Sequence, residues 1–306
     1  EEVLFVSKIE EDLARRDLTI NAIALNPINF QLVDPFGGVT DLCYRTVKAV
    51  GVPLQRFQED GLRIMRAARF AARFNCTIEA DTLKAMSDSL ETLKKVSIER
   101  IKDELCKILM TNNPYLGIKL LIETGAFTLV CPILSNKYLT HFLENINKCQ
   151  GELETRIACL YFNVQTQFVE QELLRLKFSN KEIKKILLYF KLLDVIMENS
   201  RAVFVASKSI YIKIIAKIKN ESPEWESTLK EFIILTETNY PEVTTMLREH
   251  QDVVVLSRQE MNINGNDLIE LGIKPGPQIK EILDLCYEII LQEPEKNKKE
   301  LLLKLI

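Results

Sequence analysis

A chain of 306 residues has room for about two or three domains, and 47% hydrophobic with 27% charged residues is the composition of a folded globular protein. The formal net charge of −3 excludes a polycation, so any nucleic-acid partner must be held by a local basic face and not by bulk charge. Seven scattered Cys without a C-x-x-C, only His141 and His250, and no long apolar run predict reduced thiols and a cytoplasmic protein, with no zinc site and no membrane segment.

In chain order, Val3-Leu4-Phe5-Val6 predicts a strand, and Glu10 to Asp17 a short helix leading into the apolar stretch Ile20 to Leu25. Phe30-Gln31-Leu32-Val33 alternates weakly and runs into a turn at Asp34-Pro35 and Gly37-Gly38, with Asp41 expected to cap the helix that follows. Thr46 to Val50 is a further strand candidate. Residues 1 to 50 therefore predict an α/β fragment with too few strands to close a sheet.

From Pro53 onward the helical period takes over. One helix is expected from Arg56 to Phe74. Asp81 is expected to cap a helix reaching Lys95, and Ser97 one reaching Met110. Pro114 opens the next helix and Gly125 closes it. Helical patterns follow at 136–148, 153–162, 169–176, 181–193, 210–217, 230–236, 241–250, 265–271 and 277–293, and Glu293 to Lys304 predicts a solvated terminal helix.

The segment Glu59 to Phe74 carries the most chemistry. Asp60 and Arg63, three apart, fall on one helical face, and Arg66, Arg69 and Arg73 extend the positive charge. An acceptor beside a fork of donors suits the pairing edge of cytosine or adenine, which both show an amino donor next to a ring-nitrogen acceptor. Uracil and guanine show the reverse order and leave both side chains unpaired. By itself the segment reads more readily as a surface helix with an i,i+3 ion pair and a solvated Arg face. Arg15-Arg16-Asp17 offers an Arg fork for a triphosphate oxygen at Arg16 and an acceptor for a ribose 2′-OH at Asp17, or else an N-cap aspartate with two solvated arginines. Leu174 to Lys185 is locally basic, and Arg201, Lys208, Lys213, Lys217 and Lys219 add charge that can track an RNA backbone or simply face solvent. The turn from Asn264 to Pro277 can offer backbone N–H groups to a phosphate or merely join two helices.

Taken together, Glu59-Asp-x-x-Arg63-x-x-Arg66-Ala-x-Arg69-Phe, preceded by Arg15-Arg16-Asp17-x-x-x-Asn21-Ala22 and Asp34-Pro-Phe-Gly-Gly38-x-x-Asp41-Leu42, resembles the class II tRNA nucleotidyltransferases. These are the CCA-adding enzymes and their bacterial poly(A) polymerase relatives. Ser97-x-Glu99-Arg100-Ile-x-x-Glu104-Leu and Asn264-Gly-Asn-Asp267-Leu near the end also fit, so the resemblance spans almost the whole chain.

The resemblance implies a mostly α protein with an N-terminal α/β fragment, laid out as head, neck, body and tail in a curved helical array, with only the head carrying a sheet. Residues 1–50 correspond to the C-terminal part of the nucleotidyltransferase head, 51–115 to the neck, 116–195 to the body and 196–306 to a tRNA-binding tail. It implies transfer of CMP and AMP from CTP and ATP to the tRNA 3′ end with release of pyrophosphate and with Mg2+ as cofactor. A poly(A) polymerase, or a non-catalytic nucleotide- or RNA-binding remnant, are the alternatives. Arg16, Asp17 and Asn21 would bind the nucleotide, and Asp60 and Arg63 would select the base. Arg66 and Arg69 would contact phosphates or organise the site, at least one of them as an ion-pair partner of Glu99 or Glu104, in the motif that props the reading helix from behind. The family places its metal carboxylates on a Gly-rich turn and an Asp-x-Asp strand, neither of which occurs here. The motif order puts that segment N-terminal to Glu1, so no metal ligand and no catalytic residue is assigned within this chain.

Overall fold

The computed structural model describes residues 8–134, 143, 145–200 without the last two side chains, 208–237, 239–304 and 306. The strand expected at 3–6, most of the helix expected at 136–148, and Arg201 lie outside them. The chain divides into two compact units, Glu1–Ile183 and Lys184–Ile306.

The first unit opens with helix α1 (Ile9–Ala14), which stops short of Arg15-Arg16-Asp17. A hairpin of β1 (Ala24–Leu25) and β2 (Leu32–Val33) pairs antiparallel, with Ala24 opposite Val33. Leu13, Ala22 and Val50 form a small core there, with Val33 and Phe36 packed against it. Helix α2 (Gly38–Cys43) follows a turn in which Gly37 adopts φ +72°, a left-handed conformation natural to glycine. Its cap is Asp34, not Asp41: the Asp34 carboxylate accepts from the N–H groups of Gly38 at 2.7 Å and Val39 at 2.9 Å. Asp41 lies inside the helix, where it accepts from the Thr19 hydroxyl at 2.6 Å. Strand β3 (Thr46–Val47) pairs in parallel with β4 (Thr77–Ile78), so sheet pairing reaches beyond residue 50.

The expected helix over 56–74 is two helices, α3 (Pro53–Glu59) and α4 (Leu62–Phe74), broken at Asp60-Gly61. Helix α4 is the core of the unit. Ile64, Met65, Ala67, Ala68, Ala71 and Ala72 are fully buried, while Phe74 at the helix end stays exposed. Its alanines let α7 (Ile98–Leu109) and α8 (Pro114–Glu123) approach closely, and Gly117 of α8 faces Ala72 and Ile108. Helices α5 (Ala80–Asp88) and α6 (Leu90–Leu93) lie between. The α5 cap is Glu79, whose carboxylate accepts from the Thr82 N–H at 3.1 Å, and not Asp81. Ser97 precedes α7 as expected but makes no side-chain capping bond to the helix. The unit continues through α9 (Phe127–Val130), α10 (Leu153–Leu160) and α11 (Thr166–Arg175).

The division falls within α12 (Asn180–Ser200). In the second unit α13 (Lys208–Glu221), α14 (Trp225–Glu237) and α15 (Pro241–Glu249) pack on one another around Ile214, Phe232 and Leu247. Helix α16 (Gly265–Glu270) starts with a reciprocal cap: the Asn264 side chain accepts from the Asp267 N–H, and Asp267 accepts from the Asn264 N–H at 2.7 Å. The end of the chain is not a solvated helix. After α17 (Pro277–Gln292), the short α18 (Lys299–Leu303) buries Leu302 completely against Ile263, Leu268, Cys286 and Ile290. Lys299 bonds Asp267 at 2.5 Å. The Lys- and Glu-rich run from Glu293 to Glu300 dominated the composition and hid the contact made by Leu301 to Leu303 behind it.

Candidate functional site

The break between α3 and α4 is built around Asp60. Its backbone is extended (φ −152°, ψ 110°), which ends α3. Its carbonyl then accepts from the Arg63 N–H at 3.1 Å, and its Oδ1 from the Leu62 N–H at 3.0 Å, so Asp60 opens α4 as a capping residue does. Gly61 has an ordinary helical backbone; space demands glycine there. A Cβ would sit 2.4 Å from the Leu93 nitrogen, because the junction lies directly on the backbone of Thr92 and Leu93.

Each of the two expected base-reading side chains has its own anchor. Asp60 Oδ2 accepts from Arg100 Nη2 of α7 at 2.7 Å. Arg63 Nη1 donates to Glu59 Oε2 at 2.5 Å and to the Arg56 carbonyl at 3.1 Å, and its Nη2 to the Arg15 carbonyl at 3.3 Å. No Asp60–Arg63 ion pair is present, so the plain surface pair that the spacing also allowed does not form. Asp60 retains 29% side-chain exposure and Arg63 18%, enough for each to be reached.

Behind them lies a residue that sequence reasoning missed. Arg56 donates from Nε to the Val50 carbonyl at 3.2 Å, from Nη2 to the Ala14 carbonyl at 2.8 Å and from Nη1 to Glu59 Oε2 at 3.0 Å. Its spacing was the available signal: Arg56, Glu59 and Arg63 follow one another at i,i+3 and i,i+4.

The Arg15-Arg16-Asp17 segment meets this site from the end of α1. Arg16 is half exposed and holds Asp12 through Nε at 3.2 Å and Nη2 at 2.7 Å; Arg15 grips the same carboxylate. Bonds from Arg16 and Arg15 keep the Asp12 carboxyl below the usual carboxylate range. Asp17 is buried and fully engaged: it accepts from Arg66 Nε at 2.5 Å, Asn21 Nδ2 at 3.2 Å and the Leu18 N–H at 3.0 Å. Burial pushes its carboxyl upward, but Arg66, Asn21 and the Leu18 N–H outweigh that and hold it below its ordinary value. The structure thus joins Asp17, Asn21 and Arg66, three of the expected site residues, in one cluster.

Arg69 is placed elsewhere. It is buried, bonded to Glu104 Oε2 at 2.6 Å, with its guanidinium 4.3 Å from the Phe70 ring centroid. This is the ion pair expected for one of the two arginines. Glu99 instead takes Lys177 at 2.6 Å. In the basic stretch 174–185, Arg175 bonds Glu172 and the Val130 carbonyl, and Lys219 further on lies over Trp225.

Among the described residues no three His, Cys, Asp or Glu side chains gather as metal ligands. The nearby carboxylates of Asp12, Asp17, Asp34 and Asp41 are each taken by protein donors. They do not fit a two-ion site. Among the described residues no cysteine is joined in a disulfide, and no helix is long and apolar enough to cross a membrane.

Three family models match the chain: the poly A polymerase head domain over residues 1–48, the "Probable RNA and SrmB- binding site of polymerase A" over 75–138, and tRNA nucleotidyltransferase domain 2 over 152–306. The CCA-adding enzyme of Ligilactobacillus salivarius is 32% identical over 99% of this chain and 73% of its own length. That of Bacillus cytotoxicus is 33% identical over 97% and 73%. Among solved structures, the Bacillus stearothermophilus CCA-adding enzyme in complex with CTP superposes with a TM-score of 0.75 at 28% identity, over 97% of this chain and 73% of that one. The Thermotoga maritima CCA-adding enzyme complexed with tRNA shares the fold, with a TM-score of 0.64 at 24% identity, over 97% and 73%.

Proposed function

This chain belongs to the CCA-adding enzyme family of nucleotidyltransferases, and we propose from that premise that it acts in transfer of CMP and AMP from CTP and ATP to the 3′ end of tRNA, with Asp60 and Arg63 choosing the base. The observation that carries the choice is the separate anchoring of the two side chains. Asp60 is aimed by the Leu62 N–H and Arg100, and Arg63 by Glu59 and two carbonyls. A fixed acceptor at the helix junction and a fixed donor fork three residues on can accept from the amino group of cytosine or adenine and donate to the adjacent ring nitrogen. Neither commits its whole bonding capacity to the other.

In this reading the half-exposed Arg16 receives a triphosphate oxygen by exchanging Asp12 for the stronger anion. Asp17, buried and bonded to Asn21 and Arg66, orders the segment on the ribose side of the nucleotide. Arg69, tied to Glu104, keeps α4 in place, and the helices after residue 116 hold the tRNA. Mg2+ is the cofactor this reading implies, and among the described residues no three His, Cys, Asp or Glu side chains gather to hold it. A cytoplasmic setting fits the handling of tRNA and the absence of disulfides among the described residues.

The test is nucleotide binding and incorporation by Arg63→Ala, with tRNA binding measured alongside. Expected is a loss of the preference for CTP and ATP over UTP and GTP with tRNA affinity nearly intact. Parallel losses of nucleotide and tRNA binding would remove the base-reading role.

A further inference from the structure

Arg56 is the residue on which both halves of the proposed site hang. Its three donors end on the Val50 carbonyl, the Ala14 carbonyl and Glu59 Oε2, and its side chain is only 14% exposed. Glu59 Oε2 also receives Arg63 Nη1, and the Arg56 carbonyl receives that same Nη1. Residue 56 therefore bounds the Arg63 fork twice, through its backbone and through Glu59. The Ala14 carbonyl ends α1, where helical carbonyls lack intrahelical donors. The next carbonyl, that of Arg15, is taken by Arg63 Nη2. The Arg16-Asp17 segment begins at that point.

We propose that Arg56 is a positioning residue for nucleotide selection: it fixes Glu59, and through Glu59 the Arg63 fork, against the carbonyl end of α1. The inference rests on the base-reading role of Arg63 given above. A long flexible Arg reads a base edge only if few of its rotamers remain open, and Glu59 supplies that restraint. Glu59 is itself half exposed, and without Arg56 it keeps only the cation it is meant to hold. Arg56→Lys presents one compact charge on a flexible stem and cannot replace a fork that reaches three separate acceptors. Charge conservation alone does not restore the arrangement.

The experiment measures dissociation constants of CTP, ATP, UTP and GTP for the full chain by calorimetry, for wild type, Arg56→Ala, Arg56→Lys and Arg63→Ala. The tRNA dissociation constant and the melting temperature are recorded for each. Arg56→Lys keeps the charge and guards against a variant that fails to fold. Expected is a fall of roughly tenfold in the CTP-over-UTP preference for both Arg56 variants, the size of one charge-assisted hydrogen bond, with tRNA binding unchanged. A merely structural role predicts a lower melting temperature with the preference intact. If the Arg56 variants keep the wild-type preference while Arg63→Ala loses it, the positioning role is overturned and base reading stands. If Arg63→Ala keeps it too, or wild type shows none, base reading fails and this inference with it.

Discussion

Arg66 Nε donates to Asp17 Oδ2 at 2.5 Å, joining helix α4 to the segment after α1 across 49 positions of sequence. One partner comes from each of two motifs that sequence analysis treated as separate binding elements. The contact makes them one object. It also carries a charge into the interior, since Asp17 is 6% exposed.

Asp17→Asn leaves the Arg66 guanidinium partly buried without its counter-ion. The expected loss is about 2 kcal/mol at pH 7, read by urea unfolding, in the range for hydrogen bonds to charged groups. The sign with pH follows from the depressed carboxyl. Stability from Asp17 is present above its ordinary value of 3.8 and disappears as pH falls through the lower folded value. The gap between wild type and variant therefore closes in acid; a gap that widened there would contradict the assignment.

Arg69 and Glu104 form a more deeply buried pair. Removing one side, as in Glu104→Ala, strands the other and is expected to cost about 3–5 kcal/mol. The double replacement Arg69→Met with Glu104→Leu removes both charges and should recover most of that loss. A double-mutant cycle by thermal unfolding checks it, and simple additivity would argue against direct coupling.

Gly61→Ala tests the close approach of the α3–α4 junction to Thr92 and Leu93. The methyl group meets backbone, which cannot swing aside, so about 1–3 kcal/mol of overpacking is expected. The same displacement moves Asp60, so CTP affinity should fall while tRNA affinity holds. A variant with wild-type stability and CTP affinity would show that the junction has room.

The thiols should separate by reactivity with a disulfide reagent at pH 8. Burial pushes Cys106 up to about 11 and Cys131 up to about 12, which leaves almost no thiolate. Cys43 is exposed and should react first in the native state, with the others released only on unfolding. Rapid modification of several thiols in native protein would speak against these burials.

Much of this protein was legible before any coordinates. The helical period after Pro53, the start of α8 at Pro114 and the left-handed turn at Gly125 follow from local rules of periodicity, proline and glycine. An ion pair between one of Arg66 and Arg69 and one of Glu99 and Glu104 was readable too, though not that it joins Arg69 to Glu104. Local rules failed where two acidic residues competed for one cap. Asp34 and Glu79 took roles expected of Asp41 and Asp81, since only the chain's path decides which carboxylate meets the free N–H groups.

By itself the sequence determined that the chain is mainly helical, and which residue types a base-reading site has available. Only the tertiary structure decided what each of those residues bonds. Asp60 left its helix because the junction rests on the backbone of Thr92 and Leu93, and Arg56 joined the site because a carbonyl 42 positions away lay within reach of its fork. Spacing along a chain orders neighbours on one helix; contacts between elements depend on how they pack, which no local pattern records.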